Sequence, residues 1–108
     1  MRKIKAIVKR ADEPIGHMTW ISDTLENLQK HVGGYIETVT LTPKVVVICD
    51  EEGRIKDKPF NCTLFPGLYI QQSFVGDIVV VGVDGDEFGD VPIDMKTWKK
   101  SYLGMEVK

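Results

Sequence analysis

The sequence predicts an α+β fold: a mixed, mainly antiparallel β-sheet covered by one or two helices, in a single domain over residues 1–108. Three observations predict it. Strand-length runs of branched apolar residues recur, Val45 to Cys49 and Ile78 to Val81 being the most apolar. The segment after Asp23 has apolar residues at helical spacing, with start and stop signals at its two ends. The other strand candidates follow one another too closely for repeated βαβ crossovers, so hairpins are the natural connection.

Taken in order, Arg2 to Val8 alternates partly and ends in polar Lys9, Arg10, Ala11 and Asp12, which reads as a first strand. Glu13-Pro14-Ile15-Gly16 is a loop, and His17 to Ile21 a short second strand, so the two form a hairpin. Asp23 is placed to cap the helix, with Glu26 three residues on as the reciprocal half of a capping box. Leu25, Leu28 and Val32 form its apolar stripe, and Gly33-Gly34 stop it. Tyr35 to Leu41 alternates as a strand, Pro43 interrupts, and Lys44 to Asp50 is a strongly β-branched strand. Glu51-Glu52-Gly53 is a turn from which Arg54 to Lys56 can return antiparallel. Lys58 to Asn61 reads as irregular, and Pro66-Gly67 breaks any strand between Thr63 and Ile70. Asp77 to Val83 is a buried strand. Asp94 caps a last helix from Met95 to Leu103, which Gly104 ends.

Composition narrows the function classes. A hydrophobic content of 43% supports a core that needs neither disulfides nor a structural metal. The net charge of −2 suits neither a dedicated DNA-binding domain, normally basic, nor a DNA mimic, normally far more acidic. No apolar run reaches the length of a membrane span, and Met1-Arg-Lys-Ile-Lys lacks the apolar stretch of a signal peptide. Reduced thiols at Cys49 and Cys62 and a cytoplasmic location are therefore expected, with no membrane partner.

The run T-L-x-x-L-Q-x-x-V-G-G-Y-I-E, Thr24 to Glu37, resembles the opening signature of a domain family of unknown function. An acidic turn at Glu51, Glu52, Gly53 and Arg54, then Pro59 and Asn61, then Gly76, Val80 and Gly82 are similar to its later blocks. The likeness spans roughly residues 20 to 92 in the same order. Two departures stand out: Asp50 takes the place of the family's usual Asn, and Cys62 that of its usual Arg. The resemblance implies a small protein of a phage, an integrated element or a low-GC Gram-positive gut bacterium. It carries no biochemistry with it.

Four groupings bear on chemistry. Asp84, Asp86, Glu87, Asp90 and Asp94 form an acidic cluster behind a strand, and a hard cation takes several carboxylate oxygens from one loop. The EF-hand spacing is missing, and the simpler reading is a solvated turn with Asp94 as a helix cap. Cys49, Cys62, His17 and His31 are the transition-metal donors, yet no two have the close spacing of a preorganised zinc site. The same cysteines are the candidate nucleophiles, with His17 or His31 as base and Glu37 or Asp50 as orienting acid, though no nucleophile motif surrounds them. Arg2, Lys3, Lys5, Lys9 and Arg10 at one end and Lys96, Lys99, Lys100 and Lys108 at the other would make one positive face if strand one and the last helix were neighbours. The preferred reading is an ordinary solvated edge strand and helix, with lysines discouraging edge-to-edge pairing. Trp98 and Tyr102, i and i+4 with Met95 nearby, form an apolar stripe that belongs to a core.

No phosphate-binding loop, catalytic constellation or cofactor motif emerges, and no cofactor is expected. The leading expectation is a non-enzymatic binding or modulator protein. In the genetic setting that the resemblance implies, it acts on a host cytoplasmic partner, as an anti-defence protein would, or sequesters a small nucleotide-like ligand. The alternatives are a metal-dependent hydrolase built on Asp84, Asp86 and Asp90, and a nucleic-acid binder using Lys99 and Lys100. Candidate binding residues are the polar members of the matched blocks and their immediate neighbours: Tyr35, Glu37, Glu51, Glu52, Arg54 and Asn61. The preferred reading of V-G-G-Y-I-E remains the structural one, helix stop followed by strand start. Open sheet edges make homodimerisation an expectation as well.

Overall fold

The computed structural model describes residues 2–67 and 69–105. Five strands form the main path of a six-stranded sheet in the order β2-β1-β7-β4-β3, where β1 is Lys3–Lys9, β2 His17–Ser22, β3 Ile36–Thr42, β4 Val45–Asp50 and β7 Ile78–Asp84. Its sixth strand, β8 (Glu87–Gly89), turns back onto the last residues of β7. Two further strands, β5 (Phe60–Gly67) and β6 (Ile70–Val75), form a separate hairpin. Every pairing among the described residues is antiparallel, so the mixed sheet of the sequence reading gives way to an antiparallel one.

The pleat sorts the apolar residues to two faces, because successive side chains of a strand point to opposite sides. Ile4, Ala6, Val8, Val46, Ile48, Val79 and Val81 meet helix α1 (Leu25–Val32) through Leu28 and Val32. Ile7, Val45, Val47, Ile78 and Val80 face the other way, onto Leu64 and Phe74 of the hairpin and onto Trp98 and Tyr102. β4 and β7 are therefore buried on both faces, which is why they read as unbroken apolar runs rather than alternating ones. Burying Leu28 and Val32 contributes about 1.5–3 kcal/mol each, most of what holds so short a helix in place.

Several local readings change. Thr24, not Asp23, caps α1: its side chain accepts the Asn27 N–H at 3.3 Å. Asp23 is drawn off by a partner distant in sequence, the Arg2 guanidinium at 3.2 Å. Arg54 to Lys56 is no return strand but part of a run of turns, and Phe60 and Asn61, read as irregular, already belong to β5. Pro66-Gly67 does not break that strand, since the proline falls in a register shift of its pairing. The acidic cluster is not one loop, since Asp84 and Glu87 pair across the β7–β8 hairpin. The last helix is α-helical only over α2 (Met95–Thr97) and continues as a π-helical turn, Trp98–Tyr102, closed by the Leu103 N–H on the Trp98 carbonyl at 2.9 Å. Asp94 caps it as expected, accepting the Thr97 N–H at 2.8 Å. Trp98 is fully buried and its indole N–H donates to the Ile15 carbonyl at 2.8 Å.

Lys9 is a further correction. Instead of joining a solvated basic patch it is 2% exposed, its ammonium donating to Asn61 Oδ1 at 2.6 Å and the Glu13 carbonyl at 2.7 Å. Asn61 answers with its amide on the carbonyls of Lys9 at 2.9 Å and Gly76 at 2.7 Å. That network ties the hairpin to the end of β1, since buried polar groups persist only when bonded. No helix of the described residues is long and apolar enough to cross a membrane.

Candidate functional site

The end of α1, the end of β4 and the turns that follow meet at one carboxylate. Asp50 has a side chain 1% exposed, and its Oδ2 lies 2.7 Å from Lys58 Nζ and 2.9 Å from Lys56 Nζ. Its Oδ1 accepts the Glu52 N–H at 2.8 Å. Burial works to raise the Asp50 pKa, but the bonds from Lys58, Lys56 and the Glu52 N–H outweigh it and hold the carboxyl below the usual carboxylate range. The two lysines also reach the last turn of the helix: Lys58 donates to the Val32 carbonyl at 2.6 Å, and Lys56 lies 3.4 Å from that of Gly33.

This junction explains the glycine pair. Gly33 takes φ +76°, the left-handed cap conformation, and both Gly33 and Gly34 donate to the Gln29 carbonyl. A Cβ on Gly34 would stand 2.7 Å from both Asp50 oxygens and from Lys56 Nζ. Gly33, Gly34 and the Glu52 N–H thus meet Asp50 and its two lysines in a seam that locks helix to sheet.

Beside the seam lies a cleft of about 210 Å³ between the β3–β4 edge and β6. Glu37, Glu51 and Arg54 line it, so three of the six candidate residues come together. Arg54 donates to the Ser73 carbonyl at 3.0 Å and thereby bridges the turn to β6. Among the described residues neither Glu37 nor Glu51 has a cationic partner. Tyr35 touches this region by its backbone, accepting the Glu51 N–H at 2.9 Å, while its side chain stands out in solvent at 67% exposure. Glu52 is exposed and contributes its N–H to Asp50. Asn61 is elsewhere, buried against Lys9.

The other chemical groupings are dispersed. Cys49 and Cys62 are both buried and unpaired. Burial, reinforced by the Glu37 and Asp50 charges, pushes the Cys49 thiol up to about 11, and burial alone lifts that of Cys62 to about 11 against the pull of Lys9. Such thiols are poor nucleophiles at neutral pH. Asp84 and Glu87 share the Arg2 guanidinium, at 3.5 and 3.1 Å, while Asp90 accepts the Lys5 N–H at 2.8 Å. Asp86 is exposed at the hairpin tip. Among the described residues no three metal-ligating side chains gather. Lys5 lies 5.5 Å over the Trp20 ring. Lys99 and Lys100 sit on the π-helical turn, and Lys108 lies outside the described residues.

A grouping that the sequence reading did not assemble lies across the sheet, where Arg10, Lys30 and the two histidines line a second depression. They come from three elements, so no spacing in the chain announces them. A family profile described as a domain of unknown function, DUF3846, matches residues 4–103. No curated protein and no solved structure matches the chain.

Proposed function

The chain belongs to the DUF3846 family, a domain of unknown function, and on that footing we propose that it is a non-enzymatic interaction protein that takes an extended segment of a partner along β3. One observation carries the reading: the unpaired carboxylates of Glu37 and Glu51 stand at the rim of a cleft beside a terminal strand. A terminal strand has one row of backbone donors and acceptors free to pair with an added strand. β3 carries neither proline nor lysine to discourage this. Glu37 and Glu51 suit a lysine or arginine of the bound segment. Ile55 and Tyr35, 82% and 67% exposed, offer apolar contact on either side.

Binding of this kind is stoichiometric. In a phage or mobile element, the origin that the sequence resemblance implies, it would act by occupying a host cytoplasmic component, which is the form an anti-defence protein takes. A displayed library of extended peptides, selected on the purified protein, tests the reading. Selected peptides should carry a basic residue with apolar neighbours, should protect β3 amides from hydrogen exchange, and should lose affinity with Glu37→Lys plus Glu51→Lys. Peptides that bind this double variant equally well, or that leave β3 exchange unchanged, would refute it.

A further inference from the structure

We propose that the valley between α1 and β2 is a binding site for the phosphate monoester of a hydroxylated compound, a sugar phosphate or a nucleotide. It lies on the α1 side of the sheet and does not rest on the β3 reading. The volume is about 390 Å³, within the range of small-ligand pockets. The valley is lined by His17 and Thr19 of β2, by Asn27, Lys30 and His31 of α1, and by Arg10 and Asp77.

The placement follows from two periodicities. His17 and Thr19 alternate with Met18, which packs on the opposite face of the sheet, so both lie on the α1 side, as Ile21 does. Asn27, Lys30 and His31 stand at i, i+3 and i+4 on the helix and share one side of it. Arg10 follows the last residue of β1 and completes the ring.

The cations here are surplus to the fold. Neither Arg10 nor Lys30 has an ion-pair partner among the described residues. A lysine and a histidine in a last helical turn ordinarily compensate the helix dipole. In this helix Lys58 and Lys56 already reach the terminal carbonyls, and the glycine N–H groups satisfy Gln29.

Carboxylates face the site too, and they define the ligand. Glu13 is committed, accepting the Arg10 N–H at 3.1 Å and lying 3.3 Å from His17 Nδ1. Asp77 accepts the Ala11 N–H through Oδ1, which leaves Oδ2 for a ligand hydroxyl. Two fixed cations beside one carboxylate still open to a ligand, with the charge of Glu13 turned toward His17, fit a phosphate that carries a hydroxylated group better than a bare anion. His31 adds a pH dependence: burial first, then the charges of Arg10 and His17, lower its pKa against the pull of Asp77. An arriving oxyanion offsets those charges, so binding takes up a proton.

Sulfate, whose charge is constant over the range, is the first probe, followed by the ring signals of His17 and His31 in NMR titrations. Saturable shifts are expected, with affinity rising about tenfold from ~pH 8 to ~pH 5.5. Arg10→Gln with Lys30→Gln should abolish them while the melting temperature holds. No saturable shift at ~50 mM sulfate, or equal binding by the double variant, overturns the site. Ribose 5-phosphate should bind more tightly than inorganic phosphate, and Asp77→Asn should erase that difference while strengthening sulfate. Equal affinity for the two in the unmodified protein overturns the ester assignment. AMP tighter than ribose 5-phosphate identifies a nucleotide, and equal affinity identifies the sugar phosphate as sufficient.

Discussion

Two sets of cations flank the last turn of α1, and only one of them is answered. On the β4 side Lys56 and Lys58 close on a buried carboxylate at 2.9 and 2.7 Å. On the β2 side neither Arg10 nor Lys30, which belongs to that turn, has an ion-pair partner among the described residues. The first set is closed and holds the fold together. The second is open and leaves charge for something else to meet.

Removing Asp50 should cost most. Asp50→Ala leaves two lysines over the helix carbonyls without their counter-charge, at about 2–3 kcal/mol, less than a fully buried pair because both lysines keep solvent contact. Urea unfolding would show it, and a loss under ~1 kcal/mol would mean that solvent already screens the junction. Acid should reproduce the same loss in the unmodified protein. The Asp50 pKa is depressed on folding, so its contribution is whole above the unfolded value, about 4, and fades as pH falls below it. In Asp50→Asn that part of the acid sensitivity should vanish.

Gly34→Ala comes next, because its Cβ would fall 2.7 Å from the Asp50 oxygens and Lys56 Nζ. Overpacking of this kind costs about 1–3 kcal/mol. The smallest effect sharpens the contrast most: Arg10→Gln with Lys30→Gln should move unfolding free energy by no more than about 0.5 kcal/mol, as exposed substitutions do. A larger loss would place those cations in the fold and close the difference between the two sides.

How much of this was legible in the sequence follows from how local each determinant is. β4 and β7 announce themselves, since a strand buried on both faces must be apolar throughout. α1 was found by its stripe and its glycines, yet its cap was misplaced by one residue because Arg2 takes Asp23. β6 is written in polar residues, Gln71 to Ser73, because one side of the small hairpin faces solvent. Cys62, Leu64 and Phe74 supply its apolar anchorage, too sparse a signal to read. The π-helical turn has no pattern of its own. At the cleft, Glu37, Glu51 and Arg54 are legible as polar residues but their meeting place is not, while Asn61, equally polar in the sequence, lies buried with Lys9. A motif reports that residues matter and leaves open whether they matter inside or outside.

The position of β7 has a consequence for how the chain is made. Both β1 and β4 pair with it, Ile7 opposite Val80 and Val47 opposite that same residue on the other edge. Until β7 is synthesised, the β1–β2 and β3–β4 hairpins have no common strand, and α1 has only part of the surface it covers. Without β7 the two hairpins would be separate pieces, each marginal by itself. Closing the sheet thus depends on pairings of long sequence separation, β1 with β7 above all, which is the costly kind of contact to form.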